Sequence, residues 1–373
     1  NAQTRIAESG TQGVEVYTGG EYAYRDMLER DDIDAVLIAT PWRWHAPMSI
    51  DAMQSGKHAF VEVPMATTIE DMWQMVEVSE STRKNCMMME NVCYGRDEMM
   101  VLNMVQLGLF GEITHGEGAY IHDLRWQMKE IARKTGSWRT YYHTTMRGNI
   151  YPTHGLGPVS NCFDLNHGDR LERIVSMSSP QAALGEAAQA LPDDHPARSE
   201  EFVCGDVNST LLRTELGRTI MVQHDVVSPR PYSRINGLVG TKGSFYGFPD
   251  RLALDKHGAH EWLPEKKLQQ VLRKYDSRLW AKAAKTPSAL DGHGGMDYVM
   301  MARLIECLHK GRYPDIDVYD TAAWSSIVPL SIDSVNHGSQ PHSVPDFTRG
   351  GWKRIPPIFL PEEPAKRLRK ANG

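Results

Sequence analysis

Residues 33–64, IDAVLIATPWRWHAPMSIDAMQSGKHAFVEVP, hold two short apolar runs with a helical segment between them. IDAVLIAT (33–40) is a continuous apolar stretch stopped by Pro41, APMSIDAMQSG (46–56) has helical spacing and a closing glycine, and HAFVEV (58–63) is a second apolar run stopped by Pro64. Strand, helix and strand in this order predict a right-handed βαβ unit of a parallel sheet. Thr67 and Glu70 then predict a capping box for the helix IEDMWQMVEVSEST, and CMMMEN (86–91) predicts a third buried strand. The expectation is an α/β, Rossmann-like, doubly wound domain, whose ligand crevice lies at the carboxyl ends of its strands. Those ends read TPWRWH (40–45), EVP (62–64) and ENVCY (90–94), which should therefore converge on one site.

From about residue 112 the period changes from helical to twofold. ITHGEGAYIH, RIVSMSS, DVNSTLLRTE, RTIMVQHDVVS and RINGLVGTKGSFYGF read as strands of a mostly antiparallel sheet, with hairpin turns at Leu216-Gly217 and GTKG. Residues 295–311 and 319–338 read as helices, each closed by a glycine. The expected organisation is an incomplete Rossmann-like domain over 1–111, an α+β domain over 112–340 and a Pro-rich tail over 341–373. The chain opens at Asn1 without a methionine, and its first clear strand starts near residue 35. A preceding segment, with the first β-α-β unit and any export signal, is the expectation.

At 373 residues and 41% hydrophobic content the chain can fill two cores. A formal charge of −6 offers no basic field for nucleic acid, and the run KRLRK (366–370) is too short to create one. No apolar run approaches the length of a membrane span, so a soluble protein is expected, with homo-oligomerisation left open. Five widely spaced cysteines argue against a disulfide framework. There is no H-E-x-x-H, C-x-x-C or Walker loop among the motifs, so neither a dedicated metal centre nor nucleotide triphosphate chemistry is expected. The Met-rich runs CMMMEN and RDEMMVLNM read as core filling.

The densest cluster of chemically capable residues is RGNIYPTHGLGPV (147–159), where Tyr151, Thr153 and His154 precede a glycine-rich helix entry. Glycine lets backbone approach closely, and a histidine there suits acid–base work near neutral pH; a tight turn with a structural histidine is the equal alternative. TPWRWHAP offers two indoles, a guanidinium and an imidazole for stacking and phosphate contacts, or else an aromatic plug between domains. Tyr120, Tyr232, His293 and His337 stand at element ends, where each alone is more often structural than functional.

The motifs taken together resemble a known family. GKHAFVEVP resembles the region around the Glu-Lys-Pro of the glucose-fructose oxidoreductase and inositol dehydrogenase (MocA) superfamily, in which the lysine sits by the nicotinamide; here its place is taken by Val63. WRWH, EVP, ENVCYGR, YPTHGLGP, SPRPYSR and HGGMD, in this order, resemble glycoside hydrolase family 109, the NAD-dependent α-N-acetylgalactosaminidases. The resemblance implies that Trp42, Arg43, Trp44, His45, Glu62, Val63, Asn91 and Arg139 line NAD. It implies further that Tyr120, Tyr151, Pro152, Thr153, His154 and Tyr232 hold a sugar, with Tyr94 and His293 at the pocket wall. His154, with Tyr151, is the implied catalytic group. The implied reaction removes terminal α-N-acetylgalactosamine by oxidation at C3, loss of the C2 proton, elimination, water addition and reduction, without net NAD consumption. The glycine fingerprint and the acidic residue about 20 positions after it, which grip the pyrophosphate and ribose and without which NAD is not separated from NADP, are absent from the sequence, and glycan substrates make a periplasmic or secreted location an implication of the resemblance. A net NAD(P)-dependent sugar dehydrogenase, a two-carboxylate glycosidase using Glu62, Glu90 or Asp123, and a non-catalytic sugar-binding paralogue are the competing readings.

Overall fold

The computed structural model describes residues 13–129, 138–258, 260–285 and 293–357, together with Glu8 and Gly10. The first unit runs α1 (Tyr24–Leu28), β1 (Ala35–Ile38), α2 (His45–Gln54), β2 (His58–Val61), α3 (Ile69–Thr82) and β3 (Cys86–Met88). The three strands pair in sequence order and all in parallel, with Ala35 opposite His58 and Phe60 opposite Met87. Ala59, Phe60, Val61 and Cys86 to Met88 are buried, as strands of a covered parallel sheet require. β1 is less covered: Ile38 is buried, but Leu37 is exposed.

The cap of α3 differs from expectation. Thr68, not Thr67, is the N-cap, and its side chain accepts from the Asp71 amide at 3.1 Å, so the Thr67–Glu70 box does not form. Two adjacent threonines give the same motif one residue apart, and the helix starts where the extended backbone of Thr68 ends. β3 is also shorter than CMMMEN, because Glu90 caps a 3-10 turn over Asn91–Tyr94.

The second unit continues with α4 (Arg96–Gln106), β4 (Ile113–Ile121), α5 (Trp138–Tyr142), α6 (Thr153–Cys162), β5 (Leu171–Ser178), α7 (Ala183–Gln189), β6 (Asn208–Thr214) and β7 (Thr219–Asp225). It ends with β8 (Gly237–Gly240), β9 (Gly243–Tyr246), β10 (Arg251–Leu254), α8 (Glu265–Tyr275), α9 (Arg278–Ala283), α10 (Met296–His309), α11 (Val318–Ser325), α12 (Ile327–Asn336) and β11 (His342–Ser343). Its eight strands lie in the order β10-β9-β8-β4-β7-β6-β5-β11, antiparallel except for β4 beside β7. That parallel pair sets Tyr120 opposite His224 and Ile121 opposite Asp225. Both hairpin turns read from the sequence are present, between β6 and β7 and between β8 and β9.

The single helix expected over 319–338 is two. Pro329 has no amide hydrogen, and its ring opposes the carbonyl of Ser325, the residue at which α11 ends. α11 joins the two units: Thr321 Oγ1 accepts from the Met88 amide and Ser325 Oγ from the Met65 amide, both at 3.1 Å. After β11 the chain crosses back to the first unit, where Phe347 packs on Trp73 at 4.7 Å and Arg349 pairs with Glu80 at 2.8 Å. KRLRK and the end of the Pro-rich segment lie outside the described residues.

All five cysteines are free and buried. No described helix is long and apolar enough to cross a membrane.

Candidate active site

The carboxyl ends of β1, β2 and β3 do converge. Thr40, Glu62, Val63, Met89 and Asn91 line one side of a cavity of about 570 Å³, and Tyr120, Tyr151 and His154 of the second unit line the other. His45, at the start of α2, ties two of the strand ends together: its Nδ1 lies 2.7 Å from the Pro64 carbonyl and its Nε2 2.8 Å from that of Thr40. Trp42 is buried at the floor and donates Nε1–H to the Val63 carbonyl at 3.1 Å. Its indole stacks on Tyr151 at 6.0 Å, so it serves both as a plug between the units and as a wall of the cavity.

α6 sets His154. Gly155 lies directly on Gly118 of β4: a Cβ on Gly118 would fall 2.2 Å from the Gly155 carbonyl oxygen, one on Gly155 would fall 2.3 Å from the Ala119 nitrogen and 2.7 Å from the Gly118 carbonyl carbon, and one on Gly157 would fall 3.0 Å from Glu90 Cγ. This close approach, open only to glycine, brings His154 against Glu90. His154 Nδ1 lies 2.6 Å from Glu90 Oε1. Glu90 is fully buried, and its Oε2 has no partner among the described residues. The His154 ring stands edge-on to Tyr120 at 5.0 Å and to Tyr151 at 4.9 Å.

Electrostatics separate the roles of these groups. Burial pushes the Tyr120 phenol up to about 12 and that of Tyr151 well above its ordinary value, so both stay protonated at neutral pH. Burial lowers His122, whose Nδ1 lies 3.0 Å from the Tyr120 hydroxyl. Burial likewise raises the Glu62 carboxyl, with the Glu90 charge adding to it. The Arg139 guanidinium lies 5.2 Å from the centre of the Tyr151 ring and lines the same cavity.

Other expected residues lie elsewhere. Arg43 is exposed and pairs with Glu21 at 3.0 Å, and Trp44 packs on Tyr22 at 5.4 Å; neither faces the cavity. Tyr94 is buried behind it, with its hydroxyl 3.4 Å from Asp315. Pro152 is the N-cap of α6, and Thr153 is buried beneath it. Tyr232 is 41% exposed and edge-on to His122 at 5.1 Å, beside the cavity; its hydroxyl accepts from Arg234, which is itself bound to buried Glu98. His293 does line the cavity and contacts Asp297 at 2.8 Å, which also accepts from Asn91 Nδ2 at 2.6 Å. Glu90 as the partner of His154, and His122 as the partner of the Tyr120 hydroxyl, have no role in the sequence reading. ENVCY at a strand end and the alternation in AYIH were the available signals.

Residues 94–354 match the family described as glycosyl hydrolase 109, C-terminal domain. This chain belongs to glycosyl hydrolase family 109. Residues 2–90 match the oxidoreductase family's NAD-binding Rossmann fold. A glycosyl hydrolase family 109 protein of Shewanella sp. (strain W3-18-1) is 55% identical over 366 residues, covering 96% of this chain and 79% of the relative. One from Shewanella putrefaciens is 56% identical over 352 residues, covering 92% and 76%. Among solved structures, levoglucosan dehydrogenase in complex with NADH and levoglucosan has a TM-score of 0.69 at 18% identity, covering 92% of this chain and 88% of that one. The WlbA dehydrogenase from Bordetella pertussis, with NADH and UDP-GlcNAcA, has a TM-score of 0.62 at 17% identity, with coverage of 92% and 88%. Both likenesses are of fold.

NAD is thus the cofactor of the family 109 chain, and the residues present fit it. The cavity lies where a doubly wound sheet takes a dinucleotide. Along it, Thr40 Oγ1 and Asn91 Oδ1 are buried without partners among the described residues, as suits a ligand that brings hydrogen-bond donors of its own. Trp42, His45, Glu62, Val63, Asn91 and Arg139 line the cavity and are the residues that would hold it.

Proposed function

We propose that this chain is a glycosidase that removes terminal α-linked N-acetylgalactosamine by a cycle of oxidation, elimination, water addition and reduction that leaves NAD unchanged. When bound, NAD supplies a reversible two-electron acceptor for the sugar's C3 hydroxyl, which makes C3 a ketone and the C2 proton acidic. The observation that carries the reading is the His154–Glu90 contact across the cavity from Val63.

Glu90 as a carboxylate only accepts hydrogen bonds, so His154 carries its proton on Nδ1, and Nε2 is the nitrogen left to take one. His154 takes the proton of the C3 hydroxyl or of C2, and the buried Glu90 carboxylate stabilises the imidazolium that results. Tyr120 and Tyr151, held protonated, orient the ring as donors and do not act as bases. Val63 packs at the point where the superfamily's dehydrogenases place a lysine, so the proton-accepting task rests with His154. A net sugar dehydrogenase is the competing reading, which the likeness to levoglucosan dehydrogenase invites; Val63 argues against it.

The test is hydrolysis of an aryl α-N-acetylgalactosaminide in heavy water, with the released sugar weighed. One deuteron on a ring carbon and no net reduced cofactor is the expected result. Reduced cofactor accumulating on free sugars, with no aryl release, would make the chain a dehydrogenase.

A further inference from the structure

Where α12 ends, a reversal of the chain brings three metal-binding side chains together. Asp333 and His337 stand one turn apart at the end of the helix, and so on one face of it. Gly338 and Ser339 then take left-handed backbone, with φ of 70° and 64°, and the chain turns back into β11. There His342 lies opposite buried Ile174 of β5, on the face of the sheet that α12 covers. His337 Nδ1 lies 3.0 Å from Asp333 Oδ1, and His342 Nδ1 lies 3.1 Å from Asp333 Oδ2. Ser334 pins both limbs of the reversal: its Oγ accepts from the Ser176 amide of β5 at 2.9 Å and donates to the Gln340 carbonyl at 2.7 Å. None of the three side chains lines the cavity at the strand ends.

We infer that Asp333, His337 and His342 form a zinc site that clamps the end of α12 to β11. The inference is independent of the glycosidase reading and concerns a different part of the molecule.

Donor chemistry and distances agree. Two imidazoles and a carboxylate suit Zn²⁺, with a water as fourth ligand, whereas Mg²⁺ and Ca²⁺ take oxygen donors. Two ligand atoms about 2.0–2.1 Å from a tetrahedral ion lie about 3.3 Å apart, close to the 3.0 and 3.1 Å found here. The ring centres are 6.2 Å apart and close by about 1 Å around the ion, a movement open to His337, whose side chain is 60% exposed. Binding replaces the Nδ1 proton of each ring, and with it the 2.9 Å contact of His337 Nδ1 to the Asp333 carbonyl. A second convergence, of His167, Asp317 and Asp320, has its atoms committed and carries no such site. His167 Nδ1 faces the Pro356 carbonyl and Nε2 faces Asp320, whose other oxygen accepts from Asn166, while Asp317 Oδ1 accepts from two amides. The group at Asp333 differs in opening to solvent through His337. It also stands at the root of the segment that crosses from β11 back to the first unit, so an ion there fastens that segment to α12.

The experiment titrates zinc chloride into the untagged full chain against a chromophoric chelator, with magnesium chloride as the comparison. One Zn²⁺ per chain and no response to magnesium are expected. His337→Ala, at an exposed position that leaves the core untouched, and Asp333→Asn should each weaken zinc at least tenfold, and His154→Ala should leave it unchanged. Zinc should also raise the midpoint of thermal unfolding of the unmodified protein and leave that of His337→Ala where it is. Zinc held equally well by His337→Ala and Asp333→Asn would overturn the inference, as would the absence of binding below about 0.1 mM zinc. Zinc lost from His154→Ala but kept by His337→Ala would place the ion in the catalytic cavity and overturn it too.

Discussion

His154 Nδ1 and Glu90 Oε1, 64 residues apart in the chain, are 2.6 Å apart in the fold. The contact fixes which imidazole nitrogen is free for chemistry. His154→Ala should therefore lower kcat on an aryl α-N-acetylgalactosaminide by about 10²–10⁴-fold, the range of a lost general base. Glu90→Gln keeps an acceptor near Nδ1 but removes the charge that stabilises the imidazolium. A kcat loss of roughly 10–100-fold with KM within about threefold is expected. Steady-state kinetics decide it, and an unchanged kcat in Glu90→Gln would remove Glu90 from the reaction.

Val63 is 2% exposed and lines the cavity. Val63→Lys would bring an ammonium beside Glu62 and add a second base opposite His154. Glycosidase turnover should fall at least tenfold. Turnover equal to that of the unmodified protein would take away the role assigned to His154.

The approach of α6 to β4 admits no side chain at Gly155. Gly155→Ala forces the helix off the sheet and should cost about 1–3 kcal/mol of stability. Because the same contact holds His154 in place, activity should be lost well below the midpoint of unfolding. Chemical denaturation and a rate measured under native conditions read the two effects separately.

Arg234 and Glu98 form an ion pair at 2.6 Å with 11% and 2% of their side chains exposed. Arg234→Leu strands the Glu98 charge and should destabilise by about 3–5 kcal/mol. It also frees the Tyr232 hydroxyl, so KM for the sugar should rise where the protein remains folded. The double variant with Glu98→Leu should recover most of the stability; if it does not, the pair is not the cause.

His143 and His224 make stability depend on pH on the acid side. Their folded pKa values, about 4 and about 3, lie below the ordinary imidazole value of 6.5. As pH falls below 6.5, the unfolded chain takes up two protons that the folded chain refuses. Stability should drop by roughly 2–3 kcal/mol per pH unit from these two groups between about pH 6 and 5, above the range in which most carboxylates titrate. Urea titrations at pH 7, 6 and 5 test this, and His143→Phe should remove about half of the slope.

Much of the fold was legible because its signals are local. Continuous apolar runs ended by Pro41 and Pro64 mark strands of a parallel sheet, although β1 leaves Leu37 exposed, and the twofold alternation from residue 112 marks a sheet. Where local signals were degenerate, the reading slipped: Thr67 and Thr68 are equivalent caps in sequence, and Pro329 divides a helix whose apolar pattern runs through it. The site was legible in part. That the strand ends meet follows from the doubly wound topology, and His154 stood out by its glycine-rich setting.

The sequence by itself determined the two kinds of sheet, the order of the elements and the family, since these depend on periodicity, on breakers and on motifs read in order. The tertiary structure alone decided which residues of each motif face the ligand. In WRWH, Trp42 and His45 turn inward while Arg43 and Trp44 meet Glu21 and Tyr22 outside. It alone set Glu90 on His154 and placed His143 beside His224. Contacts between residues far apart in the chain are fixed by how closely helix and sheet can pack, and here a pair of glycines, Gly118 and Gly155, sets that distance.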